Sequence, residues 1–347
     1  MLGDDMKHEI DLKNYTIRTD LVVDLLTSKD VEGVRIEEIE QEGVHITDVF
    51  VEKDENVLGK KKGRYTTIDF QDVTDKTNAK NVEDVFVKYL KKFLEEEKIS
   101  ADQKALVVGL GNDDSTPDSL GPRAVKQVLV TKYLFDMEEV TPSSNYRNVS
   151  SFIPGVMATT GYESSDIIKS LIQIGKPDFI LVVDALASSA ISRVNKTIQI
   201  SNTGILPGSG IGNKRKELSK ETLGIPVISI GVPTVIDAIV LVSDTIQYLL
   251  KHFSYHKEHL NQNKLAPITS IDTSQYQEEL SNEEKETLLG EVGQLSEEEL
   301  QELIFEVLTP IGYHMIVTPK EVDFVVHKLG DVIASGINKA LHKNFDN

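Results

Sequence analysis

Two aspartates follow short apolar runs of the sequence, at positions where acid–base chemistry is common. Asp118 lies in a loop rich in glycine and proline after the run 104–111, and Asp184 directly follows the run 179–183. If both runs are strands of one parallel sheet, the two carboxyl groups lie at the same edge. Two close carboxylates tend to share one proton, so one can take a proton from water while the other donates one. The pattern therefore predicts a proton-sharing pair; the alternative is that each aspartate only caps a turn or strand end.

Two other acids in the same loop, Asp113 and Asp114, are rivals of Asp118. Pro117 and Leu120 flank Asp118 more closely, and they would fix and bury its surroundings. They favour Asp118 as the loop member of the pair.

The apolar runs predict the sheet that would position these side chains. Continuous apolar runs are typical of strands that are covered on both faces. Three such runs occur, at 104–111, 179–183 and 226–230. Helical spacing is found between and after them, near 122–134, 162–174 and 234–252. This alternation predicts an α/β fold with a mainly parallel, mixed sheet flanked by helices.

The remaining segments predict additions to this core of about residues 80–252. Residues 43–52 and 63–70 have the pattern of paired N-terminal strands, and 80–98 that of a helix. Residues 254–295 are rich in polar residues and predict a surface excursion. C-terminal helices are predicted within 296–343, at 296–308 and at 319–343, the second with Pro319 in its first helical position.

Composition excludes several kinds of site and partner. Asp and Glu number 56 against 37 Lys and Arg, a formal charge of -19, which argues against direct nucleic-acid binding. The absence of cysteine excludes disulfides, thiolate nucleophiles and cysteine-ligated metals. No apolar run is long enough for a membrane span, and residues 1–20 do not resemble a signal peptide, so a cytoplasmic protein is expected.

Two glycine-rich stretches could each bind a ligand or could each be an ordinary loop. Gly109-x-Gly111 resembles the start of a dinucleotide fingerprint, but Asp114 stands where the third glycine is expected. The stretch 207–216 resembles a phosphate cradle without P-loop spacing. It is either a substrate loop beside a cleft or an ordinary surface loop. The residues of this possible substrate loop are Gly208, Ser209, Gly210 and Gly212.

Three histidines, His252, His256 and His259, lie close together in the sequence. They could bind a metal, but no acidic motif matches them, so a solvated cluster is favoured. The sequence predicts neither a bound metal nor a cofactor.

Motifs spread in order over nearly the whole chain together resemble the germination protease family of bacterial spores. The first are Tyr15-x-Ile17-Arg18-Thr19-Asp20-Leu21, the stretch 106–112, Thr116-Pro117-Asp118-x-Leu120-Gly121-Pro122 and 154–157. The others are Asp184-Ala185-Leu186-Ala187, the stretch 207–216, Gly231-Val232-Pro233-Thr234 and 317–323. One such motif means little, whereas eight in order are specific.

The resemblance implies an aspartic-type endopeptidase that degrades the small acid-soluble proteins coating spore DNA during germination. The family's aspartates match Asp118 and Asp184, and its fold is similar to that of hydrogenase maturation proteases. The family acts in the spore core without a metal and forms tetramers. The resemblance thus implies a single catalytic α/β domain over residues 21–347 and a homotetramer.

The resemblance also implies a zymogen that removes its own N-terminal segment. Family substrates carry Thr-Glu, then Phe or Ile, then Ala-Ser-Glu, and are cut after the first acid. Residues 19–24 repeat this order of acid, apolar, smaller and acid residues, so residues 1–20 are expected to be a propeptide cut between Asp20 and Leu21. The alternative is that this segment is an ordinary edge strand.

The chain departs from the family at Asp113 and Asp114, where relatives carry uncharged residues, and these extra acids are expected to raise the pKa of the pair. Two other functions remain open. One is a metal-dependent maturation-type peptidase with a metal on Asp118, Asp184 and Glu163. The other is a non-catalytic nucleotide-binding or maturation chaperone that uses the glycine loops.

Overall fold

The computed structural model describes residues 19–26, 31–138, 145–208, 215–258, 280–308, 315–343 and 345. The chain divides into two compact units. The larger unit contains 18–188, 192–235 and 318–347, and the smaller contains 1–17, 189–191 and 236–317.

The larger unit is built on a mixed sheet with the strand order β1–β2–β3–β7–β8–β6–β4–β5. The strands are β1 Val34–Gln41, β2 Val44–Val51, β3 Gly63–Asp69, β4 Ala105–Gly109, β5 Val149–Phe152, β6 Phe179–Ser188, β7 Thr197–Ser201 and β8 Val227–Asp237. β4 pairs in parallel with β5 and β6, whereas β1, β2, β3, β7 and β8 pair successively in antiparallel fashion. The mixed α/β sheet is confirmed, with parallel ladders on both sides of β4.

Helices flank this sheet. Those of the larger unit are α1 Lys76–Glu96, α2 Leu120–Val125, α3 Lys132–Asp136, α4 Met157–Thr160, α5 Ser164–Gly175, α6 Lys220–Leu223 and α10 Val322–Leu341. α1 begins where the Asp75 carboxylate accepts the backbone N–H groups of Thr77 and Asn78. Its apolar residues recur every three or four positions, which gives it one buried face.

Different helices cover the two faces of the sheet. Ala105 and Val107 of β4 pack with apolar residues of α1 and α10, whereas Leu106 and Val108 pack with residues of α5. Successive side chains of a strand point to opposite faces, so a strand covered on both faces is apolar throughout. This burial explains the uninterrupted apolar runs of the sequence.

A buried ion pair joins β2 and β3. The guanidinium of Arg64 donates to both carboxylate oxygens of Asp48, at 3.0 and 2.8 Å, and also to Glu96 of α1 at 2.6 Å. The Arg64 and Asp48 side chains are only 3% and 2% exposed. Two charges withdrawn this far from water depend on each other.

The smaller unit is mainly helical where the structure describes it. It contains α7 Ala238–Glu258, α8 Asn282–Leu289 and α9 Glu297–Leu308, and its short strand β9, Ile316–Val317, pairs antiparallel with residues 236–237 at the end of β8. Ile239 of α7 packs with Leu300, Ile304 and Phe305 of α9. No helix among the described residues combines the length and the apolar character that a membrane crossing requires.

Several predicted boundaries were wrong. The predicted helix 122–134 is divided into α2 and α3, because the buried Asn338 side chain accepts the backbone N–H of Leu129 and donates to the carbonyl of Gln127. The predicted helix 234–252 begins later, at Ala238, since β8 continues through its β-branched residues to Asp237. The strand containing Asp184 likewise continues beyond it, to Ser188.

Two C-terminal predictions also need correction. Pro319 lies before α10, which begins at Val322, because the Thr318 hydroxyl is bonded to the carbonyl of Thr234. The predicted excursion 254–295 includes the end of α7 and the whole of α8, the latter with a capping box formed by Ser281 and Glu284. Residues 259–279 lie outside the described residues.

We expect Asp48→Asn to lower the free energy of unfolding by about 3 kcal/mol, because Arg64 stays buried and keeps only the half-exposed Glu96 as a charged partner. Asp136→Asn is the matched control: Asp136 pairs with Lys132 at the surface, and its loss should change stability by less than about 0.5 kcal/mol. Urea unfolding followed by circular dichroism measures both. Equal effects of the two changes would contradict the interpretation of the buried pair.

Candidate active site

The loop after β4 folds back on itself and thereby positions Asp118. The backbone N–H of Asn112 donates to the carbonyl oxygen of Asp118 at 3.0 Å and to its Oδ2 at 2.9 Å. Gly111 has a φ of 112°, and a Cβ there would lie 2.0 Å from the Asp118 carbonyl oxygen. Only glycine allows this close approach. The side chain of Asp118 is half-buried at the end of a short 3₁₀ turn, Thr116–Asp118.

The start of α2 brings this loop against β6. A Cβ on Gly121 would lie 2.2 Å from the carbonyl oxygen of Leu110 and 2.5 Å from that of Val183. The Val183 carbonyl also accepts the N–H of Leu110 at 2.8 Å. The main chain next to Asp184 is therefore in direct contact with the loop that carries Asp118.

Asp184 is buried within β6, with only 4% of its surface exposed. Burial raises its pKa well above the ordinary value, and the charges of Asp118 and Asp20 raise it further. A hydrogen bond from the backbone N–H of Ala185 to Oδ1, at 2.9 Å, opposes this shift. The carboxylates of Asp118 and Asp20 are thus close enough to act on the Asp184 carboxyl.

Asp118 has a milder shift. Burial raises its pKa to about 6, against the hydrogen bond from the Asn112 N–H, which lowers it. Among the described residues, no Lys or Arg charge lowers the pKa of either Asp118 or Asp184. Burial therefore favours the protonated form of both acids, and Asp118 is mainly ionised above about pH 6.

Residues 19–22 are bonded to β6 and β7 beside this pair. The Asp20 N–H donates to the carbonyl of Ala187 at 3.0 Å, and the Asp20 carboxylate accepts the N–H of Ala187 at 2.9 Å. The Asp20 carbonyl oxygen accepts hydrogen bonds from Lys60 Nζ at 3.1 Å and from Gln199 Nε2 at 3.2 Å. The Val22 N–H donates to Gln199 Oε1 at 2.8 Å. The segment forms a bend here, not the edge strand that was the alternative prediction.

The residues that follow anchor the segment in the larger unit. Leu21 and Val22 are fully buried in an apolar cluster that includes Leu186. Asp24 accepts hydrogen bonds from the hydroxyls of Thr19, at 2.7 Å, and Ser188, at 2.8 Å. It also pairs with Arg193 Nε at 3.0 Å. The Asp20–Leu21 bond is therefore held on both sides, and residues 1–18 lie outside the described residues.

Sequence reasoning missed Lys60 and Gln199. Burial lowers the pKa of Lys60, and the carboxylates of Asp20 and Asp24 raise it in opposition. Gln199 is 8% exposed on β7. No local motif marks either residue: Lys60 is one of three consecutive lysines between Gly59 and Gly63, and nothing in the sequence sets it apart from the other two.

The other two acids of the loop, Asp113 and Asp114, do not lie with Asp118 and Asp184 in the buried site. Asp113 is exposed and pairs with Lys126, and Asp114 is also exposed. Neither contributes to the raised pKa of Asp118 or Asp184, so the expectation that they would was wrong. Both residues are exposed, and water screens their charge.

The proposed metal ligands are not assembled in the part of the chain described. Glu163 lies 3.5 Å from Arg215 Nη1, and no group of three or more acidic or histidine side chains there is arranged to hold an ion. His252 and His256 are adjacent on α7, with ring centroids 4.4 Å apart, and His259 lies outside the described residues.

The glycine loops give no support to a nucleotide site. The space beside Gly109 and Gly111 is filled by the protein's own backbone, since a Cβ on Gly109 would lie 2.4 Å from the carbonyl oxygen of Gly121. Of the possible substrate loop, Gly208 is described, with a φ of 68°. Ser209, Gly210 and Gly212 lie outside the described residues, so a role for this loop stays a prediction.

The raised pKa of Asp118 predicts a pH-dependent stability. The pKa of Asp118 is about 6 in the folded protein and 3.8 ordinarily. The protonated carboxyl therefore contributes fully to the free energy of unfolding below pH 3.8, and this contribution is lost as pH rises through 6. In an Asp184→Asn background, where Asp118 is the remaining acid of the pair, we expect Asp118→Asn to stabilise the protein at pH 7.5 by on the order of 1 kcal/mol. Near pH 4 the same substitution should leave the free energy of unfolding almost unchanged.

Urea unfolding at the two pH values measures this difference, with the exposed Asp113→Asn in the same background as the control. A gain of equal size at both pH values would show that packing, and not titration, is responsible.

Comparison with known proteins places the chain among spore proteases. A profile of the family described as Germination protease matches residues 13–347. The germination protease of Bacillus cereus (strain ATCC 10987 / NRS 248) is 45% identical, and that of Bacillus mycoides (strain KBAB4) is 46% identical; each match covers 98% of both chains. Among solved structures, the [NiFe] hydrogenase maturation protease HycI from Thermococcus kodakarensis KOD1 is 16% identical. That match has a TM-score of 0.26 and covers 42% of this chain and 80% of that one. The chain belongs to the germination protease family.

Proposed function

We propose that the chain is an aspartic-type endopeptidase that is made as a zymogen and cuts its own chain between Asp20 and Leu21. The observation that carries this proposal is the position of Asp20. Its backbone is bonded to β6, and its charge acts on the buried Asp184. On this proposal, the peptide bond that follows Asp20 is cut by the two carboxyl groups of Asp118 and Asp184, which share a proton.

The proton balance of the pair supports hydrolysis by water. Above about pH 6, the ionised carboxyl, mainly Asp118, can take a proton from a water molecule as that water attacks the carbonyl carbon of Asp20. The protonated carboxyl, mainly Asp184, can give its proton to the nitrogen of Leu21 when the bond breaks. The two groups titrate together, so neither has a permanent role as base.

The proposed substrates in trans are the small acid-soluble spore proteins, cut after an acid within a sequence like that of residues 19–24. Family membership supports this choice, as does the accommodation of Asp20 and Leu21 beside the pair. The proposed site of action is the spore core, and the proposed assembly is a homotetramer of chains in which residues 21–347 form one catalytic domain. Residues 1–20 are the proposed propeptide.

We expect the purified chain to lose residues 1–20 on incubation at mildly acidic pH near 6, where Asp118 is partly ionised, so that intact mass spectrometry finds a product beginning at Leu21. Asp184→Asn should reduce both self-cleavage and cleavage of a small acid-soluble spore protein by at least about a thousandfold, because no second carboxyl then holds a proton for the leaving nitrogen while Asp118 takes one from water. Its thermal unfolding should show that it is folded.

Asp113→Asn is the matched control: it changes an exposed acid of the same loop and should leave both rates within about twofold. A first cut at any other bond would rule out the assigned site. Loss of activity after exhaustive chelation, restored by a divalent metal, would favour the metal-dependent alternative.

A further inference from the structure

Two side chains outside the acid pair donate hydrogen bonds to a single backbone oxygen. Lys60 Nζ lies 3.1 Å and Gln199 Nε2 lies 3.2 Å from the carbonyl oxygen of Asp20. This oxygen belongs to the Asp20–Leu21 peptide bond. The inference that follows rests on the proposed cut at that bond.

The orientation of the Gln199 amide is fixed by its two partners. Its Oε1 accepts the N–H of Val22 at 2.8 Å, which only an acceptor can do, so the NH₂ group must face the Asp20 carbonyl. Gln199 lies within β7, where it is paired with Thr67 of β3 on one side and Gly231 of β8 on the other. The donor is therefore held by a strand that is paired on both sides.

Lys60 reaches the same oxygen from the connection between β2 and β3. That connection is braced by Asn56, whose amide donates to the carbonyls of Lys53, at 2.8 Å, and Lys60, at 2.7 Å. Lys60 Nζ also donates to the carbonyl of Thr19 at 3.3 Å. The side chain is largely withdrawn from water, where a hydrogen bond from an ammonium group is stronger than at the surface.

We propose that Lys60 and Gln199 form the oxyanion site of this enzyme. When water adds to the carbonyl carbon of Asp20, the π electrons of the C=O bond move onto its oxygen, and the water proton passes to the ionised carboxyl of the pair. Lys60 and Gln199 then stabilise the negative oxygen by donating to it. As the intermediate collapses, the C–N bond breaks and the nitrogen of Leu21 takes the proton of the protonated carboxyl.

The acid pair is engaged in proton transfer. It takes the proton of the attacking water and then gives a proton to the leaving nitrogen, whereas Lys60 and Gln199 can donate to the oxygen throughout without giving up a proton. Preorganised donors at a developing oxyanion typically contribute a factor of about 10² to 10³ each. A protein substrate bound with an acid in the place of Asp20 would present its carbonyl oxygen to the same two donors.

The test is the first-order rate of self-cleavage of the full chain, followed by intact mass at pH values from 5 to 8 and compared at each variant's optimum. We expect Lys60→Met and Gln199→Glu each to be slowed about a hundredfold. Gln199→Glu has nearly the same shape and keeps the acceptor for Val22, but it loses the donor. Lys62→Met is the matched control, because it removes a charge from the exposed Lys62 of the same connection, and its rate should stay within about twofold.

A rate within threefold of wild type for either Lys60→Met or Gln199→Glu overturns the assignment of that residue. If Lys60→Met also lowers the melting temperature, Lys60→Arg decides: it keeps a cationic donor and should be at least tenfold faster than Lys60→Met. A folded Lys60→Arg that is as slow as Lys60→Met contradicts the donor role. Two other results would contradict the proposed function itself. One is a wild-type chain that is not cut at Asp20–Leu21, and the other is an Asp184→Asn variant that is still cut there.

Discussion

The contact of the α2 start with the main chain of β4 and β6 is the constraint on which the candidate site depends. Gly121 lies so close to the carbonyl oxygens of Leu110 and Val183 that no side chain fits there. The contact joins the two segments that carry the acids: one leads into the loop of Asp118 and the other continues into Asp184. The interaction between the carboxyl groups therefore depends on backbone packing and not on flexible side chains.

Burial then gives the site its chemical character. It raises the pKa of Asp118 and Asp184 and lowers that of Lys60, so every one of these groups is moved toward its neutral form. Shifts of this kind, caused by burial beside other charged groups, are typical of catalytic sites. The large negative charge of the chain has little part in this, because exposed acids such as Asp113 are screened by water.

The sequence predicted those features that depend on local pattern. The buried strands and the pairing of β2 with β3 follow from apolar runs and turn residues. It could not predict that β6 continues past Asp184, because residues 185–188 have no distinctive pattern and Ala187 is bonded to distant Asp20. Lys60 and Gln199 were missed for the same reason, since their role depends on which strands are neighbours in the sheet.

The complete burial of Leu21 and Val22 has a consequence for the step after cleavage. Hydrolysis at Asp20–Leu21 would create a free amine on a residue that is inaccessible to water. An ammonium group is costly in apolar surroundings, so the new chain end is driven outward. The new chain end nevertheless stays covalently attached to the enzyme. It therefore competes with protein substrates for the same site at a high effective concentration. Departure of this tethered end would empty an apolar groove beside Leu186, and the enzyme would admit other chains only after expelling its own.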